Sequence, residues 1–464
     1  MRGHSRPLAR PGAPHRRAAP LLLAALSLAV LCAAPAGATA DSGEAETPDS
    51  IEQGHTQMPD SFDHRPIEAL LHESRLVGLR DTTINVQFRS FYLDRDNFEP
   101  PDSLAWTIGG SAGFKTGYFG DFAALGATAY TSQRLAGPLD EDGTKLLQPG
   151  QNPYTAIGEL YGQFKLTDEI VAVAGRKGLD TPFINTQDSL MTPNTFVMYA
   201  VQGVAGSPDD STALRFGAGY VDKIKPRNAE DFESMATAAG APTGVDRGVY
   251  VAGANLKAGQ FSLGAIQYDS KDIIDITYTE IKYIVPLANR VSLRFGAQYT
   301  DQHSAGEDLL TGKTFHADQS GFKAELGYGP TLFTVARTFT AVGATSSNGS
   351  GTDMRNPWGA YPGYTAVQIE NFYRAGEDAT LLRAAYNFPR VTGLSVYALY
   401  VDGSTPKVVD QYAQREYDAN LQWIAKNPTL QGLTLLVRYG HVAQSGPKDE
   451  HENELRLVAY YQWR

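Results

Sequence analysis

Six arginines recur at alternate positions of extended-looking segments: Arg89, Arg215, Arg294, Arg383, Arg438 and Arg456, joined by Lys257 and Lys323. A guanidinium is permanently charged, and its planar fork matches a carboxylate through two hydrogen bonds. Glu159, Glu280, Glu325 and Asp418 stand at equivalent positions and suit an ammonium group. The chemistry on offer is therefore non-covalent recognition of small solutes carrying a carboxylate, or both charges. Covalent chemistry has no comparable support. Ser, His and Asp form no nucleophile motif. The run His451-Glu452-Asn453-Glu454 is followed by leucine, so it is not the zinc-protease helix signature. His303 and His316 flank one loop and His441 and His451 another, as scattered surface residues, so no metal site is expected. One cysteine in the whole chain excludes a disulfide framework and cysteine-rich zinc or iron–sulfur centres. No phosphate loop or dinucleotide fingerprint occurs among the 46 glycines, and no cofactor is expected.

The elements that must hold these side chains have a period of two. In the final segment Leu455, Leu457, Ala459, Tyr461 and Trp463 share one face, while Glu454, Arg456, Tyr460, Gln462 and Arg464 share the other. Val291–Tyr299, Phe322–Tyr328 and Tyr417–Trp423 repeat the pattern. Eighteen such segments are expected, the first over 82–93 and the last over 453–463; 365–374 reads as loop. They run about ten to twelve residues, the length of a tilted membrane-spanning strand rather than of a soluble one. Tyr92, Tyr118, Tyr130, Tyr220 and Tyr299 sit near segment ends, where an amphipathic ring meets headgroups. Short connections such as Gly120-Asp121, Thr167-Asp168 and Ala288-Asn289 alternate with long polar ones at 134–152, 177–194, 225–246, 302–316, 342–377, 404–415 and 443–452. The pattern predicts an all-β transmembrane antiparallel barrel of 18 strands, apolar face to lipid and charged face to a wet lumen.

The 464-residue chain carries a formal charge of −11 and no basic block, which argues against nucleic acid as a partner. Five arginines precede the apolar run Ala18–Ala34, and Ala38-Thr39-Ala40 offers a small-x-small cleavage site, so residues 1–40 read as a secretory signal peptide. Residues 41–80 are expected to form a periplasmic lead, with a stretch near 66–79 tucked against the barrel that follows over 81–464.

At 175–196 the run GRKGLDTPFINTQDSLMTPNTF resembles the constriction-loop segment of the OprD-type outer membrane porins, the outer membrane carboxylate channels. FYLDRDNF at 91–98, GFKTGYFGDFAALGATAYTSQRL at 113–135 and PWGAYPGYTAVQIENFYRAGED at 357–378 are similar to further family segments, in family order. The resemblance implies a constriction loop at about 177–194 folded into the pore. Arg176 and Lys177 would stand at its start, with Asp180, Asn185, Asp188 and Asn194 among its polar members. Leu190-Met191 departs from the family, which often places arginine before that methionine. The chain also ends Trp463-Arg464, one residue beyond the usual terminal aromatic.

The reading is a passive, selective channel in the outer membrane of a Gram-negative bacterium, and not an enzyme. Its expected partners are outer membrane lipid and lipopolysaccharide, the barrel insertion machinery, and small carboxylate or zwitterionic solutes. The apolar faces are compatible with a monomer or a homo-oligomer. The alternatives are a plugged structural or adhesive barrel and a barrel hydrolase.

Overall fold

The computed structural model describes residues 71–463 apart from 207–211, 286, 288–290, 346–351, 405–411 and 447–448. The expected signal peptide, most of the expected lead and the Ala288-Asn289 turn lie outside the described residues. Eighteen long strands follow one another as an antiparallel meander: β1 Thr83–Asp96, β2 Ser103–Lys115, β3 Ala123–Ala136, β4 Tyr154–Lys165, β5 Ile170–Lys177, β6 Thr195–Ala205, β7 Thr212–Lys225, β8 Val249–Ala258, β9 Phe261–Ser270, β10 Ile274–Val285, β11 Val291–Ser304, β12 Phe315–Tyr328, β13 Thr331–Thr340, β14 Asp378–Asn387, β15 Leu394–Gly403, β16 Ala413–Ile424, β17 Leu433–Ser445 and β18 Glu450–Trp463. β1 pairs with β2 on one side and with β18 on the other, from Val86↔Trp463 to Asp96↔Asn453, so the sheet closes and leaves no edge. No helix among the described residues is long and apolar enough to cross a membrane.

Alternation decides which face is which. Phe88, Phe114, Leu160, Phe295, Phe322 and Leu382 are exposed on the outside although apolar, the signature of a surface made for lipid. Residues 365–374 are loop, as expected. The polar ends differ from expectation: β11 continues to Ser304 and β17 to Ser445, and β18 starts at Glu450, so the outer loops there are shorter. Above the bilayer both strand faces meet water or polar loops, so backbone pairing persists where the apolar alternation that marks a strand has stopped.

The lumen is partly filled by its own loops. L3 (178–194), L4 (226–248) and the 352–377 part of L7 (341–377) fold inward. Phe183, Tyr268, Tyr278, Trp358 and Met235 form one apolar cluster with the β5–β12 wall. Val367 and Phe372 of L7 cover β13–β15, and Leu190 and Met191 of L3 pack with Leu146 and Leu147 against Phe91 and Leu93 of β1. The apolar core of this protein therefore lies inside the barrel, between wall and loops.

Candidate functional site

L3 leaves β5 at Lys177 and is fixed at both its base and its tip. At the base, Thr181 and Ile184 close a tight turn through Thr181 N→Ile184 O at 2.8 Å. The Phe183 ring meets Tyr268, Tyr278 and Tyr361 edge-on at 5.9, 6.3 and 5.9 Å between centroids. Asn185 is fully buried: its Nδ2 donates to Ala360 O at 3.0 Å and its Oδ1 accepts from Ala360 N at 2.8 Å. A Cβ on Gly359 would fall 2.4 Å from that Oδ1, so the approach of L7 to L3 needs glycine there. Trp358 Nε1 donates to Met235 O at 2.8 Å, which ties L4 into the same joint. Asn194, also buried, donates through Nδ2 to Asn185 O at 3.2 Å.

At the tip, Asp188 accepts two hydrogen bonds from Arg89 of β1, at 2.7 and 3.1 Å, and Arg89 also donates to Leu190 O. Arg227 of L4 reaches Ser189 Oγ at 2.9 Å. Burial, reinforced by the neighbouring Arg456, lowers the Arg227 pKa to about 10, still well above neutrality.

L7 is held by wall carboxylates. Glu416 of β16 accepts from the backbone N–H of Ile369 and of Glu370, both at 2.8 Å. Asp418 accepts from Gln368 N at 3.2 Å, and Glu454 of β18 from Gln368 Nε2 at 3.0 Å. Burial, with Glu452 beside it, raises the Glu370 carboxyl to about 7.

The wall itself has three sectors. Along β7 and β8 the lumen face carries Gly217, Gly219 and Gly253, and a cavity of about 420 Å³ opens there below L3, lined also by Lys177, Asp180 and Arg215. On β10–β12 the charges neutralise one another: Lys282 and Glu280 at 3.4 Å, Lys323 and Glu325 at 3.6 Å, Arg294 and Glu325 at 3.9 Å, with Tyr364 OH donating to Glu280 at 2.7 Å. On β14–β18 the arginines crowd together. Arg438 and Arg456 are direct cross-strand partners, and Arg383 lies over the Tyr397 ring at 4.8 Å, with Arg438, Arg456 and Asp418 in electrostatic reach of the same ring. Arg438 Nε donates to Asn420 Oδ1 at 3.2 Å and Arg456 to Glu454. Arg383 Nε and Nη2 and Arg456 Nη1 are buried without a hydrogen-bond partner among the described residues.

The alternation therefore brings Arg383, Arg438, Arg456 and Asp418 together on one sector, and Glu280, Arg294, Lys323 and Glu325 on another. Glu159 faces inward beside a bulge in the β3–β4 pairing and accepts from Thr128 Oγ1 at 2.6 Å and from Gly178 N at 2.9 Å, at the root of L3. Lys257 stands apart at the periplasmic end of β8, exposed and opposite Ser262. Several loop residues take positions other than those expected. Arg176 pairs in register with Leu160 and Val197 on the outward face and stacks over Phe232 at 4.7 Å, because strand alternation leaves only its neighbour Lys177 inside, above the Tyr161 ring at 4.8 Å. Asn185 and Asn194 brace the loop backbone instead of facing the passage. Asp180 lines the cavity while accepting from Thr186 N at 2.9 Å. The histidines are not scattered: His303 lies 3.2 Å from Asp301 and 3.4 Å from Asp275, His316 lies 2.5 Å from Asp301, and the His441 and His451 rings stack at 5.5 Å. No group of three or more potential ligands among the described residues fits a metal ion. Sequence reasoning missed Arg227 and the inward course of L7, since loop residues have no periodicity to reveal their direction. It missed Glu416, at the start of an alternating strand, because its partners are those L7 backbone groups.

Comparison with known proteins agrees with this architecture. Residues 79–464 match the outer membrane porin, OprD family. Among solved structures, Pseudomonas aeruginosa OpdK with vanillate superposes with a TM-score of 0.68 at 21% identity, over 83% of this chain and 99% of that one. Pseudomonas aeruginosa OccK9 (OpdG) gives 0.71 at 19%, over 83% and 99%, and Acinetobacter baumannii OccAB2 gives 0.68 at 19%, over 83% and 98%. No curated protein sequence matches the chain. Members of this family are channels, not enzymes, and their place is the outer membrane of Gram-negative bacteria. With its closed 18-strand barrel and inward-folded loops, the chain belongs to the OprD family of outer membrane porins.

Proposed function

We propose that this porin passes small solutes bearing a carboxylate, amino-acid-like zwitterions included, by passive diffusion along the β14–β18 sector. The observation that carries the reading is the direct cross-strand pairing of Arg438 with Arg456, beside Arg383, with Arg383 Nε and Nη2 and Arg456 Nη1 buried without a hydrogen-bond partner among the described residues. Like charges placed directly opposite one another destabilise a sheet, and a buried donor without an acceptor adds its desolvation penalty. A carboxylate in transit relieves both. Asp418, close to Arg438 and Arg456, gives an ammonium group somewhere to sit.

Phe183, Asn185, Trp358 and Arg89–Asp188 hold the loops rigidly, so selection rests on fixed positions rather than on an adaptable surface. The passage needs no energy source: solutes exchange one set of weak, charge-assisted contacts for the next. The test is single-channel recording with titration of carboxylates of graded size. Arg383→Met is expected to weaken block by a carboxylate roughly tenfold, the worth of one charge-assisted hydrogen bond. Neutral solutes of equal size should block the variant and the parent alike. A folded, inserted barrel that conducts but ignores carboxylates would sink the reading.

A further inference from the structure

The chain ahead of β1 is built into the barrel mouth. Residues 71–82 cross the periplasmic end as a strap whose backbone runs parallel to Gly117-Tyr118. Tyr118 N donates to Leu76 O at 2.8 Å, Gly78 N to Tyr118 O at 2.9 Å, and Gly117 N to Gly78 O at 2.9 Å. A Cβ on Gly117 would lie 2.4 Å from the nitrogen of Val77, so this docking requires glycine. Lys165 Nζ, gripped by Asp121 at 2.5 Å and Asp168 at 2.7 Å, donates to Ser74 O at 3.2 Å. Ser74 is itself buried and bonded to Leu71 O at 2.8 Å. Glu73 meets Lys115, on the inward face at the end of β2, at 2.7 Å. Leu71, Glu73 and Ser74 line the same cavity as Lys177, Asp180 and Arg215. L3 forms the roof of that space and the strap part of its floor. The family match begins at residue 79, beyond the strap's contacts with Lys115 and Lys165.

We propose that the strap is a second constriction, at the periplasmic exit, and that Glu73 determines the charge preference there. An ion leaving the cavity passes a mouth that carries Lys115 on the wall and a carboxylate delivered by the strap. In a confined, partly desolvated passage one charge of this kind changes the local concentration of small ions of each sign. The proposal rests on the chain being a channel and is independent of which solute it carries.

The experiment uses the full chain refolded into planar bilayers, with potassium chloride alone as the probe. Strand content by circular dichroism and stable insertion establish that each variant has folded. Gly117→Ala drives the strap off its seat, and its conductance is expected to rise by roughly a third or more, since the narrowest part of a pore dominates its resistance. Glu73→Gln should keep the parent conductance and shift the reversal potential in a salt gradient toward chloride. Lys115→Gln should shift it toward potassium. Unchanged conductance in Gly117→Ala, or reversal potentials indifferent to residues 73 and 115, overturns the proposal. Because no organic solute is present, a channel that fails to bind carboxylates still gives a clear answer here.

Discussion

Two sectors of the lumen wall carry the same residue types and use them in opposite ways. On β10–β12 each cation has a carboxylate within 4 Å: Lys282 with Glu280, Lys323 with Glu325, Arg294 with Glu325. On β14–β18 the register sets Arg438 against Arg456. Arg456 meets Glu454 at 2.5 Å, but Arg383 Nε and Nη2 are buried without a hydrogen-bond partner among the described residues, and Glu416, Glu454 and one oxygen of Asp418 also hold L7. On the proposed reading the first sector is electrostatically quiet and the second is the one that takes an anion. Residue type alone does not make a wall charge functional; what matters is which residue the neighbouring strand presents at the same level.

That contrast can be broken, most forcefully at its active side. Arg438→Met combined with Arg456→Met should lower carboxylate block about 100-fold, taking about 1.5 kcal/mol for each charge-assisted hydrogen bond removed, as read by titrating single-channel current. Next in size is the anchoring of L7. Glu416→Leu removes the acceptor of two backbone N–H groups, and each buried donor left alone costs about 1–3 kcal/mol. Larger, noisier conductance is expected in single-channel recordings.

Arg89→Met should act more locally. It frees the L3 tip from β1 and is expected to change block a few-fold, mainly by speeding solute release, which dwell-time analysis would register. Asp188 is well exposed, so the loss of this ion pair is partly made up by water. Arg294→Met on the quiet sector should change carboxylate block by less than about twofold, in line with a pair already neutralised. An effect as large as that of Arg383→Met would erase the distinction between the two sectors.

Acidity sharpens the comparison further. The Glu370 carboxyl in L7 is raised to about 7, first by burial and then by Glu452, with Arg374 opposing and Glu377 adding. A carboxyl raised in the folded state stabilises that state fully below its ordinary pKa of about 4.3 and loses the contribution as pH climbs through the raised value. L7 should therefore dock most firmly near pH 5 and loosen towards pH 8, with current noise rising over that interval. Glu370→Gln should abolish the trend.

Much of the barrel was legible because a strand between lipid and water must alternate. Glu454, Arg456 and their neighbours declare both faces of β18 in plain sequence. Arg176 shows where the rule misleads at the level of single residues: motif resemblance marks it for the pore, whereas counting faces from Val173 and Lys177 puts it outside. Asn185 shows a different limit. A polar residue in a pore loop suggests solute contact, but its amide is consumed by Ala360, which is 175 residues away in sequence. Nothing local announces such a partner. L7 escaped for the same reason, since its direction is dictated by Glu416, Asp418 and Glu454 on strands that come later in the chain.

The Asn185–Ala360 joint has a consequence for the order of assembly. L3 is made early in the chain, but its fixed shape depends on an L7 backbone that comes 175 residues later and is itself seated by β16 and β18. Contacts so distant in sequence form late, after the loop-closure entropy of the intervening chain has been overcome. The constriction is thus completed last: until β16 and β18 have joined the ring and seated L7, Asn185 lacks the Ala360 backbone that fixes the base of L3.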